Sequence, residues 1–411
     1  MMTQAFYTGI SGIRSSLGAI DVNANNLANI NTVGYREYDV EFASMFESML
    51  STANNSSSVD SSIGVGSRLQ TTTMMQNTGV LQLSDRSTDL AIYGDGWFGV
   101  KGDGESMYTR AGNFTFDLNN DLITPEGLHV LGTMGSGTTD ETLLGDITVQ
   151  EKLSFPKILS YPPEPTTNTK FIGNLGVDDE TRTMGAGVVD SQGNNNNLRL
   201  SFTKTVPQVL PGSQWNVVAT TQTLDGATIY DTQTGVVSFN SAGTLISTTL
   251  ASINNNGASV QIDLGSGFDG LICTGNASIS ASSISDGSIG GDLMGYEINK
   301  NAEVIATFTN GVQSSVGKIA VYHFQNDRGL DRVDGSRFKE SSNSGEPMFF
   351  KDENGQNILG TNVTNFKLEG SNVEMSKGLT ELIILQRSFG ANSKSVTTAD
   401  EMMQKALSMD A

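Results

Sequence analysis

The apolar positions divide the chain into two helical ends and a strand-rich middle. Phe6, Ile10, Ile13, Leu17, Ile20, Ala24 and Leu27 recur at alternating steps of four and three, the stripe of a helix that packs on another helix. Arg14 and Asp21 are the charges in this stretch, and both lie off the stripe. A matching stripe closes the chain, where Leu379, Leu382, Ile383, Leu385, Phe389, Val396, Met402, Met403 and Leu407 fall on helical spacing between about Met375 and Met409. The two ends read as partners in one helix pair.

Energetics bear on how that pair exists. Fixing backbone costs about 1–2 kcal/mol per residue, so ordering the first helix costs on the order of 25–50 kcal/mol before hydrogen bonding is counted. Full burial of an Ile, Leu or Phe returns only about 1.5–3 kcal/mol. One helix pair buries one face of each helix, so the stripes need further surface, either from neighbouring copies or from the core of one globular domain. Their place at both ends of the chain favours neighbouring copies.

Between the ends the period changes. Residues 39–50 mix helical and strand spacing and read as a short helix or an extended arm, and 51–62 hold eight Ser or Asn residues without an apolar period, a connector. From 63 to about 145 short alternating runs are broken by turns: Leu90-Ala91-Ile92-Tyr93, then Gly94-Asp95-Gly96, then Trp97-Phe98-Gly99-Val100, with further runs at 108–116, 122–123 and 128–131. These read as antiparallel hairpins. Four of the eight prolines fall between Pro156 and Pro165 and stiffen a passage near 150. A second series at 198–206, 215–220, 236–239, 245–250 and 260–264 reads as an all-β sandwich or barrel, and strands at 296–298, 304–308 and 319–322 return to the first.

The expected fold is thus mixed and nested. Paired, coiled-coil-like helices occupy 1–35 and 371–411, and a connector arm spans 36–62. One all-β inner domain comprises 63–149 and 292–370, and a second, outer all-β domain at 150–291 is inserted in it.

Composition narrows the class. The 411 residues suffice for two or three domains with cores of their own. Cys273 is the only cysteine, which rules out an internal disulfide and reads as a small buried apolar residue. A net charge of −20 argues against nucleic acid or anionic membrane as a partner. Charged residues make up only 17%, and the abundance of Gly, Ser, Thr and Asn suits an extracellular β-rich protein. No apolar run reaches the roughly eighteen residues of a membrane helix, and no basic segment followed by an apolar stretch opens the chain, so a Sec-type route is not expected.

The segment Ala24-Asn25-Asn26-Leu27-Ala28-Asn29-Ile30-Asn31-Thr32-Val33-Gly34-Tyr35 resembles the N-terminal signature shared by the rod and hook proteins of the bacterial flagellum. Gly94-Asp95-Gly96-Trp97-Phe98 and Tyr108-Thr109-Arg110-Ala111-Gly112-Asn113-Phe114 resemble the turn and hairpin of that family's inner β domain. At the other end, Ser371-Asn372-Val373-Glu374-Met375-Ser376, Gln386-Arg387-Ser388-Phe389, Ala391-Asn392-Ser393-Lys394 and Thr397-Thr398-Ala399-Asp400 are similar to its closing helix. The insertion at 150–291 resembles the hook subunit's outer domain in placement, and 236–247 and 296–330 look like hook-type segments.

The resemblance implies a self-polymerising subunit of the hook, the curved tube that joins rod to filament and transmits torque while bending. It implies export through the flagellar type III apparatus without a cleaved signal, and a place outside the cell continuous with the basal body. Implied partners are further copies of the chain, the distal rod, the hook cap and the hook–filament junction proteins. The assembly contact is expected at Phe6, Ile10, Ile13, Leu17, Ile20, Leu27, Leu379, Leu382, Ile383, Phe389, Val396, Met403 and Leu407. The family motif rests on Asn25, Asn26, Leu27, Ala28, Asn29, Asn31, Gly34 and Tyr35. The competing readings are a distal rod or junction subunit and, from a different class, a monomeric β-rich surface adhesin.

Enzyme signatures fail on context. Gly94-Asp95-Gly96-Trp97-Phe98-Gly99 has the letters of a dinucleotide loop, but bulky aromatics fill it and a strand is expected to follow, so no helix N-terminus awaits a pyrophosphate. Asp117-Leu118-Asn119-Asn120-Asp121 opens like a calcium loop yet has Leu122 and Leu128 where glycine and a bidentate glutamate belong. His129 and His323 are the only histidines, each in a strand-like run without a second ligand. No catalytic, cofactor or metal residue is nominated.

Overall fold

A computed structural model describes residues 2–45, 66–102, 104–139, 141–176, 180–208, 212–275 and 282–409. Two long helices bracket the chain, α1 (Met2–Ala28) and α2 (Met375–Met409), and among the described residues the elements between them are strands, apart from two short 3-10 turns. The described part of 39–50 is not helical. It is strand β1 (Tyr38–Ser44), paired antiparallel with β2 (Ser67–Met74), Tyr38 opposite Met74 and Ser44 opposite Ser67. β1 carries valine and phenylalanine two apart, and pairing with the threonine-rich β2 satisfies its backbone, which decides the mixed spacing in favour of strand. The connector at 51–62 lies outside the described residues.

The chain forms two compact units. The first comprises Met1–Lys157, Tyr296–Ala306 and Ser314–Ala411; the second comprises Ile158–Gly295 and Thr307–Gln313. The return to the first unit is therefore interrupted, since 307–313 belong to the second.

In the first unit, β3 (Leu81–Leu83), β4 (Leu90–Tyr93), β5 (Trp97–Lys101) and β6 (Ser106–Thr109) follow in order. β5 pairs with β6, Phe98 opposite Thr109, and on its other side with the strand His129–Thr139, Val100 opposite Val130. β4 pairs with Asn362–Asn365 and β3 with Lys367–Glu369, so strands from the far end of the chain close both. The core gathers Trp97, Tyr108, Leu131, Tyr322, Phe324 and Phe338, with Tyr108 edge-on to Tyr322 and Phe324 at ring centroids of 5.2 and 4.8 Å.

The second unit contains a ten-stranded sheet among the described residues. Thr181–Val189, Asn195–Lys204, Ser213–Thr223 and Ile229–Phe239 run as an antiparallel meander, Leu200 opposite both Met184 and Ala219. Along Asn195–Lys204 every second residue is buried, Asn196, Leu198, Leu200 and Phe202, which is the period of a sheet with one wet face. Phe171, Trp215, Val217 and Val237 complete that core. Thr181–Val189 and Gly265–Ile272 are strands that the apolar pattern alone does not mark, because glycines interrupt it.

Candidate functional site: the paired terminal helices

α1 and α2 pack antiparallel. Ser16 Oγ donates to Ser388 Oγ at 3.5 Å, and Asn23 Nδ2 donates to Glu381 Oε2 at 3.2 Å. The approach is close. A Cβ on Gly9 would lie 2.5 Å from Val396 Cγ2, one on Gly12 2.6 Å from Asn392 Nδ2, and one on Gly378 3.0 Å from Leu27 Cδ2. The face of α1 that meets α2 is therefore Gly9, Gly12, Ser16, Ala19 and Asn23, with Asn26 on the same line. These small residues recur at three and four, each one position before the apolar stripe. Glycine disfavours a helix by about 1 kcal/mol relative to alanine, so α1 uses these positions for close approach rather than for helix strength.

The intrachain contact does not run along the apolar stripe of α1. On α1 the intrachain contact is centred one residue, about 100°, away from Phe6, Ile10, Ile13, Leu17, Ile20 and Leu27. Leu27 still reaches Gly378, Phe6, Ile10, Ile13 and Ile20 are partly buried, and Leu17 is 45% exposed. On α2, Leu382, Phe389, Val396 and Met403 are half-buried, whereas Leu379, Ile383 and Leu407 are 47, 53 and 75% exposed. The reason is size: interlocked backbones demand small side chains at the crossing, and the bulky ones are turned aside. The small-residue repeat was present in the sequence as the signal for this face.

The asparagine motif forms an elbow where α1 enters the β structure. Asn26 mimics a strand residue: its Nδ2 donates to the Tyr38 carbonyl at 2.8 Å, and its Oδ1 accepts the Tyr38 N–H and the Tyr35 hydroxyl, both at 3.1 Å. Asn25 Nδ2 donates to the Tyr35 hydroxyl at 3.4 Å, and Asn29 Nδ2 to the Asn25 carbonyl at 2.9 Å. Gly34 turns the chain at φ +68°, where a Cβ would lie 2.4 Å from the Ala111 nitrogen. Ala28 and Asn31 are exposed. The Arg332 guanidinium lies 5.3 and 5.4 Å from the Tyr35 and Tyr38 ring centroids. Burial pushes the Tyr38 phenol up to about 12 against the pull of Arg332.

Asn372 performs the same service from the other end, accepting the Glu37 N–H at 2.6 Å and donating to the Met75 and Asn77 carbonyls at 3.1 and 3.0 Å. Lys377 lies 3.5 Å from Glu37. Burial raises the Glu37 carboxyl, and Lys377 opposes that shift.

The segments singled out for other chemistry have structural roles. Gly94–Gly99 leads into strand β5, not a helix. Asp117 caps a reverse turn, its Oδ1 accepting the Asn119 and Asp121 N–H groups at 2.7 and 2.8 Å. His129 Nδ1 lies 3.6 Å from Asp121 Oδ2, and His323 Nε2 lies 2.7 Å from the Leu359 carbonyl. Among the described residues no group of three or more His, Cys, Asp or Glu side chains is placed to hold a metal ion, and no helix is long and apolar enough to cross a membrane. Cys273 is buried, with Ser213 Oγ 3.2 Å from its sulfur.

Comparison with known proteins gives this geometry a context. Four family models match in chain order: flagella basal body rod protein at 6–36, flagellar hook protein FlgE/F/G D1 domain at 91–160, flagellar basal body protein FlaE D2 domain at 175–314, and flagellar basal body rod FlgEFG protein C-terminal at 366–409. The flagellar hook protein FlgE of Borreliella burgdorferi is 27% identical over 442 residues, covering 98% of this chain and 99% of its own length. The chain belongs to the flagellar hook protein family. FlgE of Escherichia coli K12 matches equally, 27% identical with 98% of this chain and 100% of its own length covered. The crystal structure of Helicobacter pylori flagellar hook protein FlgE2 shares the fold at a TM-score of 0.52 and 16% identity, over 70% of this chain and all of that one. Within this family no catalytic domain is indicated.

Proposed function

We propose that the chain is the structural subunit of a flagellar hook and that copies polymerise through the faces of α1 and α2 that the intrachain contact leaves uncovered. The observation that carries the contact is the one-residue offset: α1 meets α2 of the same chain through its small residues, while Leu17, Leu379 and Ile383 remain exposed. Exposed leucine and isoleucine on one helix pair need a second apolar surface. Copies of the same pair supply it, in a tube whose inner layer is helical and coiled-coil-like and whose β domains lie nested outside. The function is mechanical, a universal joint passing torque from rod to filament. The distal rod, hook cap, hook–filament junction proteins and flagellar type III export apparatus are its partners, and its place is the hook outside the cell.

Electron microscopy of the purified full chain beside a version trimmed to 36–372 tests this. Curved tubes from the full chain alone are expected. If neither version polymerises with short hook seeds, and the terminal helices of the free chain resist protease, the reading gives way to a monomeric surface module.

A further inference from the structure

Just past the elbow, one buried carboxylate joins the chain's two crossings between helix and β structure. Glu369 ends the strand Lys367–Glu369, six residues before α2. Its Oε1 lies 2.9 Å from Arg36 Nη2 and accepts the Gly79 N–H at 3.0 Å; its Oε2 accepts Arg110 Nη1 at 3.3 Å; its carbonyl accepts the Gly34 N–H at 2.8 Å. The three charged side chains are 1–3% exposed. Arg36 also donates to the Asn77 carbonyl, and Arg110 to the Gly94 carbonyl at 2.7 Å, with its guanidinium 5.4 Å from the Trp97 ring centroid.

We infer that Glu369 is the positioning residue of the helix pair, the point at which the direction of α1 and α2 is fixed on the first unit. The inference rests on the hook reading only for its mechanical consequence. Three features support it. The carboxylate reaches the exit of α1 through Arg36 while its own backbone leads into α2, so both helices are referred to one side chain. Two guanidiniums share it, so its loss leaves two buried cations without their common counter-charge. The backbone around it is packed too closely to take up slack, since a Cβ on Gly79 would sit 2.0 Å from the Gly370 carbonyl oxygen. What would remain between the two crossings is backbone hydrogen bonding, Gly34 N–H to Glu369 at 2.8 Å, Gly370 N–H to Val80 at 3.0 Å and Asn372 N–H to Tyr35 at 3.4 Å, together with the Asn372 and Lys377 side chains on Glu37.

Hydrogen exchange on the free full-length chain, wild type against Glu369→Gln, tests this without any polymer. The amides of Gly34, Gly79 and Asn372 are expected to exchange at least tenfold faster, with Phe98, Val100 and Tyr108 in the neighbouring strands unchanged. Uniformly faster exchange through the first unit, or no change anywhere, would overturn the inference. Should Glu369→Gln fail to fold, Glu369→Asp keeps the charge but shortens the reach, and the same local pattern is expected in weaker form. In seeded polymers, Glu369→Gln is expected to change the helical repeat; an unaltered repeat would also overturn it. Failure of the wild type to polymerise counts against the hook reading alone, because the exchange result stands on the free chain.

Discussion

Gly9 shows how little room separates the two terminal helices. A Cβ there would meet Val396 Cγ2 at 2.5 Å, and Val396 is branched at Cβ and backed by its own helix, so it has few rotamers to retreat into. Gly12 is more forgiving, because the atom in its way is the end of the flexible Asn392 side chain. Gly9→Val is therefore expected to cost the helix pair about 1–3 kcal/mol of packing, read as lost helical circular dichroism while the β units keep their aromatic signal. Gly12→Ala should do much less. Such positions were not legible from apolar periodicity, which weighs bulk and overlooks its absence. Asn26 was legible as part of a motif, but its role was not: hydrogen bonding to both polar groups of the Tyr38 backbone depends on where a strand twelve residues later is placed.

At the scale of the element, both long helices were readable, since a stripe at three and four sustained over seven positions fits no strand. The face each helix turns to the other was not, because two stripes run side by side and the larger side chains draw the eye. Leu17→Asp separates their roles. Leu17 is 45% exposed in the single chain, so the substitution should move the free protein's stability by no more than about 0.5 kcal/mol. In a polymer the same carboxylate would sit unpaired in a dry contact, a cost of several kcal/mol. Sedimentation under polymerising conditions should show monomer, with an unchanged thermal melt. A destabilised monomer would place Leu17 in the intrachain core instead. β1 was ambiguous in sequence because an isolated short run with valine and phenylalanine two apart fits either period until β2 arrives as a partner.

At the scale of the whole molecule the two units differ in how they hold their carboxylates. In the second unit Asp190, Asp225, Asp231 and Asp286 all lie below the usual aspartate range. For Asp190 burial alone would raise the carboxyl, but hydrogen bonds from Asn256, Asn194 and the Gln192 backbone outweigh it. A group held low in the folded state contributes stability above its unfolded value of about 3.9 and loses that contribution as pH falls through the folded value. In the first unit Asp121 is also held low, hydrogen bonds from Ser154 and Lys152 outweighing its burial, but burial raises Glu37 and Asp327, and acid relieves that cost. The second unit should therefore weaken first as pH drops from about 5 to 3. The chain's two tryptophans, Trp97 and Trp215, lie one in each unit, so Trp97→Phe and Trp215→Phe variants report each by fluorescence. Equal acid sensitivity in both would contradict the assignment. The sequence marked the strand-rich middle and its proline passage, but not the return of 307–313 to the second unit, because contacts between strands distant in the chain leave no local trace.

The offset between the two stripes of α1 makes the spacing of its residues matter more than their kind. Removing one residue from the middle of the helix would rotate everything after it by about 100°, bringing Leu17, Ile20 and Leu27 to where Ser16, Ala19 and Asn26 now stand. Every remaining letter would be native, yet the side meant for strangers would face kin. Substitutions can be absorbed one at a time, whereas a single insertion or deletion in this segment swaps inside for outside at a stroke.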